Sequence, residues 1–125
     1  MANDFTAVFE ALKGVLKKNA GNLAVKADTT SDYSVTGHVA SPFPQHKGRP
    51  MWFAAVRVGK AYVSFHLMPV YMNPALNEAI SPELKKRMQG KACFNFKKEP
   101  DAALLKDLAV LTRAAVRDWK AKKWL

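Results

Sequence analysis

Two segments of the chain carry the hydrophobic period of an amphipathic helix. The first runs from Asp4 to Ala20 and is followed by Gly21, a residue that commonly ends helices. The second is opened by Glu99-Pro100-Asp101 and continues to about Trp119. Apolar residues recur every three or four positions in both: Phe5, Val8, Phe9, Leu12, Val15 and Leu16, then Leu104, Leu108, Leu111, Ala115 and Trp119. We therefore predict a helix at each end, each with one buried face.

Between these helices the apolar positions alternate, as they do in half-buried strands. Gly59-Lys60 sits between two such runs and predicts a central hairpin. The Asp28 to Asp32 segment predicts a turn between two shorter strands. The predicted strands are residues 23–27, 33–37, 51–58, 61–67 and 92–96.

The remaining segments have neither period. His38 to Pro50 contains three prolines and is predicted to be a loop, and Met68 to Pro74 is a second, proline-bracketed loop. Helical residues follow around Ala75 to Ile80. Ser81-Pro82-Glu83 then predicts the start of a short helix, which reaches Met88 before Gly90.

The order of these elements predicts an α+β fold. Because consecutive strands joined by short turns pair antiparallel, we expect a two-layer sandwich with an antiparallel sheet of about five strands. The N-terminal and C-terminal helices would pack on one face of the sheet, with the short helix before the last strand. The 125 residues form one predicted domain, residues 1–125, without repeats or linkers.

Composition limits the chemistry available to this domain. Cys93 is the only cysteine, which excludes an intramolecular disulfide, a CxxC motif and a cysteine zinc cluster. The three histidines, at positions 38, 46 and 66, lack zinc-site spacing, and no glycine-rich phosphate loop is present, so no cofactor is predicted. The first residues include Asp4, whereas a secretory signal peptide would carry lysines there, and we therefore expect a cytoplasmic location.

Charge is the strongest departure from average composition. Twenty Lys and Arg against ten Asp and Glu give a formal net charge of +10 and a pI near 9.9. A cluster without acids contains Lys85, Lys86, Arg87, Lys91, Lys97 and Lys98. We therefore expect attraction to anionic ligands or to nucleic acid.

Alternation in the last two strands predicts which side chains share the uncovered face of the sheet. Val63, Phe65 and Leu67 would face the helices, as would Phe94 and Phe96. Our leading hypothesis is a non-enzymatic binding module that holds an anionic small ligand or polyanion on the opposite face. Its candidate site consists of Tyr62, Ser64, His66 and Asn95, rimmed by Tyr71, Arg87 and Lys97.

The same face offers an enzymatic alternative. If the two strands are neighbours, His66, Cys93 and Asn95 share a surface, and these are the residue types of a papain-like site with a cysteine nucleophile and a histidine base. Their spacing matches no protease signature, so an ordinary solvated face is favoured.

Two further groups of residues have open interpretations. Met68, Val70, Tyr71 and Met72 could form an adaptable pocket mouth, although capping of the core is favoured. Exposed apolar residues could equally mark a homo-oligomer interface.

At the C-terminus, Trp119 lies on the apolar stripe that faces the core and leaves Trp124 as a single indole that could anchor in a membrane surface. We therefore expect no stable membrane association.

The stretches Tyr62–Pro74 and Ser81–Phe96 are similar to the YdhG-like family of small bacterial domains. The shared features, over about Pro50 to Trp119, are a Gly-Lys hairpin, a loop, a short lysine-rich helix, a Gly-Lys turn into an apolar strand, and a C-terminal helix. The resemblance implies a frataxin-like fold and, for part of the family, an iron-chaperone role.

That iron-chaperone role depends on acidic residues clustered on the first helix and the neighbouring strand. Here the first helix offers only Asp4 and Glu10, set among Lys13, Lys17 and Lys18. Hard cations prefer clustered carboxylates, so this surface repels them. The fold is adopted as an expectation, and iron transport remains an alternative function.

Overall fold

The computed structural model describes residues 5–21, 23–90 and 93–125. Asp4, Lys91 and Ala92, which entered the predictions above, lie outside the described residues. In chain order the elements are α1 (Thr6–Asn19), β1 (Ala24–Asp28), β2 (Asp32–Ala40), a 3₁₀ turn (Pro44–His46), β3 (Pro50–Val58), β4 (Val63–Leu67), α2 (Met68–Met72), α3 (Pro74–Glu78), α4 (Pro82–Lys85), β5 (Met88–Gln89), β6 (Cys93–Phe96) and α5 (Ala102–Ala121).

The predicted α+β class is confirmed. The strands form one sheet in the order β1-β2-β3-β4-β6-β5, and each neighbouring pair is antiparallel. The described sheet has six strands where about five were predicted. The additional strand is β5, whose Met88 and Gln89 pair with Phe94 and Cys93. Two residues are too short to show a period, so no pattern in the chain indicates this strand.

One face of the sheet is buried under α1 and α5. Phe9, Leu12 and Leu16 of α1 are at most 1% exposed, as are the α5 side chains of Leu108 and Trp119. They pack against a sheet surface formed by Phe53, Val56, Val63, Phe65, Leu67, Phe94 and Phe96. Burial of these side chains supplies the main stabilisation of the domain.

Side-chain caps fix where the helices begin. Ser81 accepts a hydrogen bond from the Leu84 amide at 3.2 Å, as its sequence position predicted, and Asp101 accepts one from the Leu104 amide at 2.9 Å.

The prediction that Met68 to Pro74 forms a loop was wrong, because Met68–Met72 forms α2. Pro69 suits the first turn of a helix, where its missing N–H leaves no intrahelical bond unmade.

The connection from β2 to β3 is short and closed. The Ser41 amide donates to the Arg49 carbonyl at 3.0 Å, and Lys47 adopts a left-handed conformation (φ 52°), followed by Gly48 (φ 80°). These two residues reverse the chain. They bring Lys47 and Arg49 beside the first residues of β3, which is how the loop contributes to the site described below.

The C-terminal residues lie against β2 and the loop that follows it. Trp124 contacts the rings of Phe43 and Trp119 edge-on, with ring centroids 5.5 and 5.6 Å apart. Gly37 faces the Trp124 carbonyl so closely that an added Cβ would stand 2.7 Å from the oxygen. Trp124 is therefore half-buried in packing contacts. No helix among the described residues has the length and apolar character needed to span a membrane.

Candidate functional site

The face of the sheet opposite α1 and α5 carries the candidate site, and we call it the open face. Its central side chains are Trp52 and Arg57 of β3, Ser64 and His66 of β4, and Cys93 and Asn95 of β6. Strand β4 pairs with β6 so that Ser64 stands opposite Asn95 and His66 opposite Cys93. The side chains that were predicted to face the helices are at most 1% exposed, which confirms the alternation: Val63, Phe65, Leu67, Phe94 and Phe96.

Three polar side chains on the open face bond to one another across the strands. Ser64 Oγ donates to Asn95 Oδ1 at 2.8 Å, and Asn95 Nδ2 donates to Gln89 Oε1 at 2.6 Å. The Asn95 backbone amide donates to the Arg87 carbonyl at 2.8 Å. Both ends of the Asn95 amide are therefore engaged within the sheet. Cross-strand pairs of this kind stabilise a sheet and need no ligand to explain them.

The second pair joins the single cysteine to a histidine. Cys93 Sγ lies 2.8 Å from His66 Nδ1. Burial raises the pKa of the Cys93 thiol, while burial and then the nearby Arg57 guanidinium lower the pKa of His66, against a smaller opposing effect of Asp32. Both shifts favour the neutral thiol with the neutral imidazole. Catalytic cysteines require the opposite, a thiolate stabilised by imidazolium.

We expect the Cys93 thiol to react with iodoacetamide more slowly than an unperturbed thiol at neutral pH. Its raised pKa means a smaller thiolate fraction at each pH, and so the pH profile of the rate should be displaced to higher pH. The control is the same protein unfolded in urea, where the same single thiol titrates normally. Alkylation faster in the folded than in the unfolded protein would contradict this expectation and revive the enzymatic alternative.

Trp52 is the centre of the open face, and sequence reasoning did not single it out. Its ring lies 5.9 Å from the His66 ring, and the Arg57 guanidinium lies 5.6 Å from its centroid. Arg57 Nε is in turn 3.5 Å from Asp32 Oδ1. A connected row of side chains thus runs from β2 through β3 and β4 to Cys93 on β6. Trp52 Nε1 is buried without a hydrogen-bond partner among the described residues.

Basic side chains surround Trp52. A cleft of about 430 Å³ opens between β1, the 3₁₀ turn and β3, and we call it the basic cleft. Its lining is Lys26, Gln45, His46, Lys47, Arg49, Pro50, Met51 and Trp52. An adjoining depression of about 350 Å³ adds Arg57 and shares Lys26 and Trp52. Within the described part of the chain, Lys26, Lys47 and Arg49 form no ion pair.

An apolar cavity of about 220 Å³ lies on the other side of Trp52, and we call it the methionine cavity. Its lining is Phe43, Gln45, His46, Met51, Trp52, Met68, Tyr71 and Met72. The favoured interpretation of the Met68–Met72 segment as a core cap holds for Val70, which is 1% exposed, and for Met68 and Met72, which pack half-buried against the core. Tyr71 is 59% exposed and, with the half-buried Met68 and Met72, lines the cavity.

The seven predicted site residues do not converge on one point. Tyr62 precedes β4 and Tyr71 lies just beyond its other end, and five strand residues span ~16 Å. Arg87 and Lys97 are exposed beside β6, at the end nearer to Tyr62. Only His66 contacts both Trp52 and Cys93. The predicted alternation places Ser64, His66 and Asn95 on the open face, but the basic and aromatic side chains of this face gather toward β1 and the 3₁₀ turn.

The described residues contain no metal-binding cluster. No group of three or more His, Cys, Asp or Glu side chains among them could hold a metal ion. His46 Nδ1 lies 2.6 Å from Ser41 Oγ, a contact that holds the 3₁₀ turn.

The chain was compared with protein-family models, with curated proteins and with solved structures, and none of them matched.

Proposed function

We propose that this protein is a non-enzymatic binding module that holds a small anionic ligand in the basic cleft against Trp52. The observation that supports it most directly is the convergence of Lys26, Lys47 and Arg49 on one half-buried indole. Lys26 lies on β1, whereas Lys47 and Arg49 lie in the connection between β2 and β3, so the fold brings together charges from two segments that are distant in the sequence.

Electrostatics favours an anion in this cleft. Three cations without carboxylate partners repel one another, and a bound anion would relieve that repulsion. Attraction between charges is several times stronger at a partly enclosed protein surface than in bulk water. The net charge of +10 adds long-range attraction for anions of any kind. Specificity must then come from the shape of the cleft and from Trp52.

Trp52 supplies the aromatic component of the proposed site. Its ring already contacts the Arg57 guanidinium and the His66 imidazole, so it is held in one orientation. Trp52 Nε1 is itself buried, so a ligand would contact the accessible part of the indole ring and not this donor. The proposed ligand is therefore an oxyanion, such as a phosphate or a carboxylate, that pairs with the lysine and arginine side chains beside the ring.

The other two candidate functions have less support. The short distance between Cys93 Sγ and His66 Nδ1 is the one feature that supports cysteine catalysis. The raised pKa of Cys93 and the lowered pKa of His66 both oppose an activated thiolate, and the Asn95 amide is hydrogen-bonded to Ser64 and not to His66. An iron-chaperone role needs a surface that attracts cations, and the surroundings of Trp52 attract anions.

A titration observed at the tryptophan indoles tests the proposal. The protein has three tryptophans, and Trp52→Phe assigns the Trp52 indole N–H signal in a ¹⁵N spectrum. Adding phenyl phosphate should move the Trp52 signal in a saturable way. The signals of Trp119 and Trp124 serve as internal controls. Because phosphate binding displaces counterions, the apparent affinity should fall as salt rises.

Equal, non-saturating movement of all three indole signals would refute the proposal, since it would indicate only general attraction to a cationic protein. Binding of a short single-stranded RNA at Trp52 without any binding of phenyl phosphate would also refute it, because the ligand would then be a polyanion.

A further inference from the structure

The basic cleft and the methionine cavity have opposite chemistry and a common wall. Four residues line both: Gln45, His46, Met51 and Trp52. On one side of this wall lie Lys26, Lys47 and Arg49. The other side is lined by the aromatic and thioether side chains of Phe43, Met68, Tyr71 and Met72. A ligand that extends past Trp52 would therefore pass from a cationic environment into an apolar one.

The methionine cavity is shaped by side chains that adapt to what they contact. Met51, Met68 and Met72 contribute unbranched thioethers, which fill irregular space and make favourable contacts with aromatic rings. Phe43 and Tyr71 provide such rings. Binding pockets typically combine an apolar lining with a few polar groups that orient the ligand. A volume of about 220 Å³ limits the apolar part to a single ring or a short aliphatic chain.

From this juxtaposition we infer that the ligand is a small amphipathic anion, with its phosphate or carboxylate in the basic cleft and a short aliphatic or aromatic group in the methionine cavity. This inference rests on the proposed function, because the anionic half of the ligand occupies the same cleft. It adds a second subsite, on α2 and the loop before β3, and a requirement that both halves belong to one molecule.

Alkyl phosphates of increasing length test the second subsite. Isothermal titration calorimetry would compare inorganic phosphate with ethyl, butyl and hexyl phosphate, and hexyl phosphate with hexanol. Each added methylene that becomes buried should raise the affinity about two- to fourfold. Hexanol, which has the same chain without the charge, should bind at least about tenfold more weakly than hexyl phosphate.

The NMR signals of the methionine methyl groups show where the alkyl chain of the ligand binds. In protein labelled at the methionine methyl groups, hexyl phosphate should move the signals of Met68 and Met72, whereas inorganic phosphate should not. Met88 on β5 provides the internal reference. If only the Met88 signal moved, the alkyl chain would bind outside the methionine cavity, and the inference would be overturned.

Substitutions separate the two subsites. Tyr71→Ser and Met72→Gln, at positions that are not fully buried, should each weaken hexyl phosphate binding about fivefold or more and leave inorganic phosphate unchanged. Val110→Ser on α5 is the matched control, because it also removes an exposed apolar side chain, 48% exposed in this case, from the far side of the domain.

The outcomes distinguish this inference from the proposed function. Phosphate binding that is independent of chain length would overturn the inference and leave the proposed function standing. Absence of binding by every phosphate would overturn both. Binding to phosphatidylglycerol vesicles without binding of hexyl phosphate would overturn the inference too, because the apolar group would then be part of a membrane surface.

Discussion

Reversing two charges at once, with Lys47→Glu and Arg49→Glu, is expected to weaken phenyl phosphate binding by ~100-fold at low salt. Both residues line the basic cleft, and the closed loop between β2 and β3 holds them beside Trp52. Each substitution removes a charge-assisted contact and adds a repulsive carboxylate. The measurement is titration calorimetry, accompanied by a circular dichroism spectrum to show that the fold is retained.

The control for this experiment must change the net charge equally. Lys106→Glu with Arg117→Glu does so on exposed positions of α5, on the opposite side of the sheet. This pair lowers long-range attraction to the same extent but leaves the cleft intact, so only a small loss of affinity is expected. Equal losses in the two double variants would show that binding follows total charge, and the basic cleft would no longer be a site.

Trp119→Ala is expected to lower the free energy of unfolding by about 3–5 kcal/mol. Trp119 is fully buried in the last turn of α5, and its ring contacts Phe53 and Trp124 with centroids 5.5 and 5.6 Å away. Truncation would leave a large cavity between α5 and the sheet. Urea unfolding followed by circular dichroism gives the free energy, provided that the transition is two-state.

Trp119→Phe is the informative companion variant. Phenylalanine keeps a ring in the same space, and it removes an indole N–H that has no acceptor among the described residues. Loss of the unsatisfied donor offsets part of the lost packing, so this variant should be much less destabilised than Trp119→Ala. A loss below about 1 kcal/mol in Trp119→Ala would contradict the packing described for α5.

Strand alternation was the most informative part of the sequence. In β4 and β6 an apolar residue occupies every second position, so the buried face is unambiguous. A shift of one residue would bury His66 and Asn95 and expose Phe65 and Phe94, at a large energetic cost. For this reason the outward direction of His66 and of Cys93 follows from the pattern of apolar residues, whereas their position side by side depends on the pairing of β4 with β6.

Strand β3 shows why the centre of the site could not be predicted. Its residues are almost continuously apolar from Met51 to Val56, so no alternation reveals that Trp52 faces outward. The register between β2 and β3 also shifts at this point: Val35 pairs with Ala54, and Thr36 pairs with Trp52. A bulge of this kind changes the face on which later side chains lie. Phe53 and Ala54 can then both be buried beside an outward-facing Trp52.

The cationic surroundings of Trp52 depend on contacts between distant segments. Lys26 reaches the cleft because β1 pairs with β2 at the edge of the sheet, and Arg49 reaches it because the 3₁₀ loop folds back. Neither residue belongs to a charge cluster in the sequence. The local density of charge favoured the lysine-rich segment around β5 instead, since six cations stand there without an acid. Tertiary structure, not local density of charge, determines which cations gather beside Trp52.

The two outer strands of the sheet have a consequence for how copies of this protein behave at high concentration. Exposed strand edges are templates for intermolecular pairing when they are long, flat and apolar. Here β5 has only two residues, and β1 is interrupted by a register shift between Val25 and Ala27 with the charged Lys26 between them. Among the described residues, neither edge offers an uninterrupted row of backbone groups to another chain. The short and interrupted edge strands therefore disfavour edge-to-edge aggregation, while the open face of the sheet is not covered by α1 or α5.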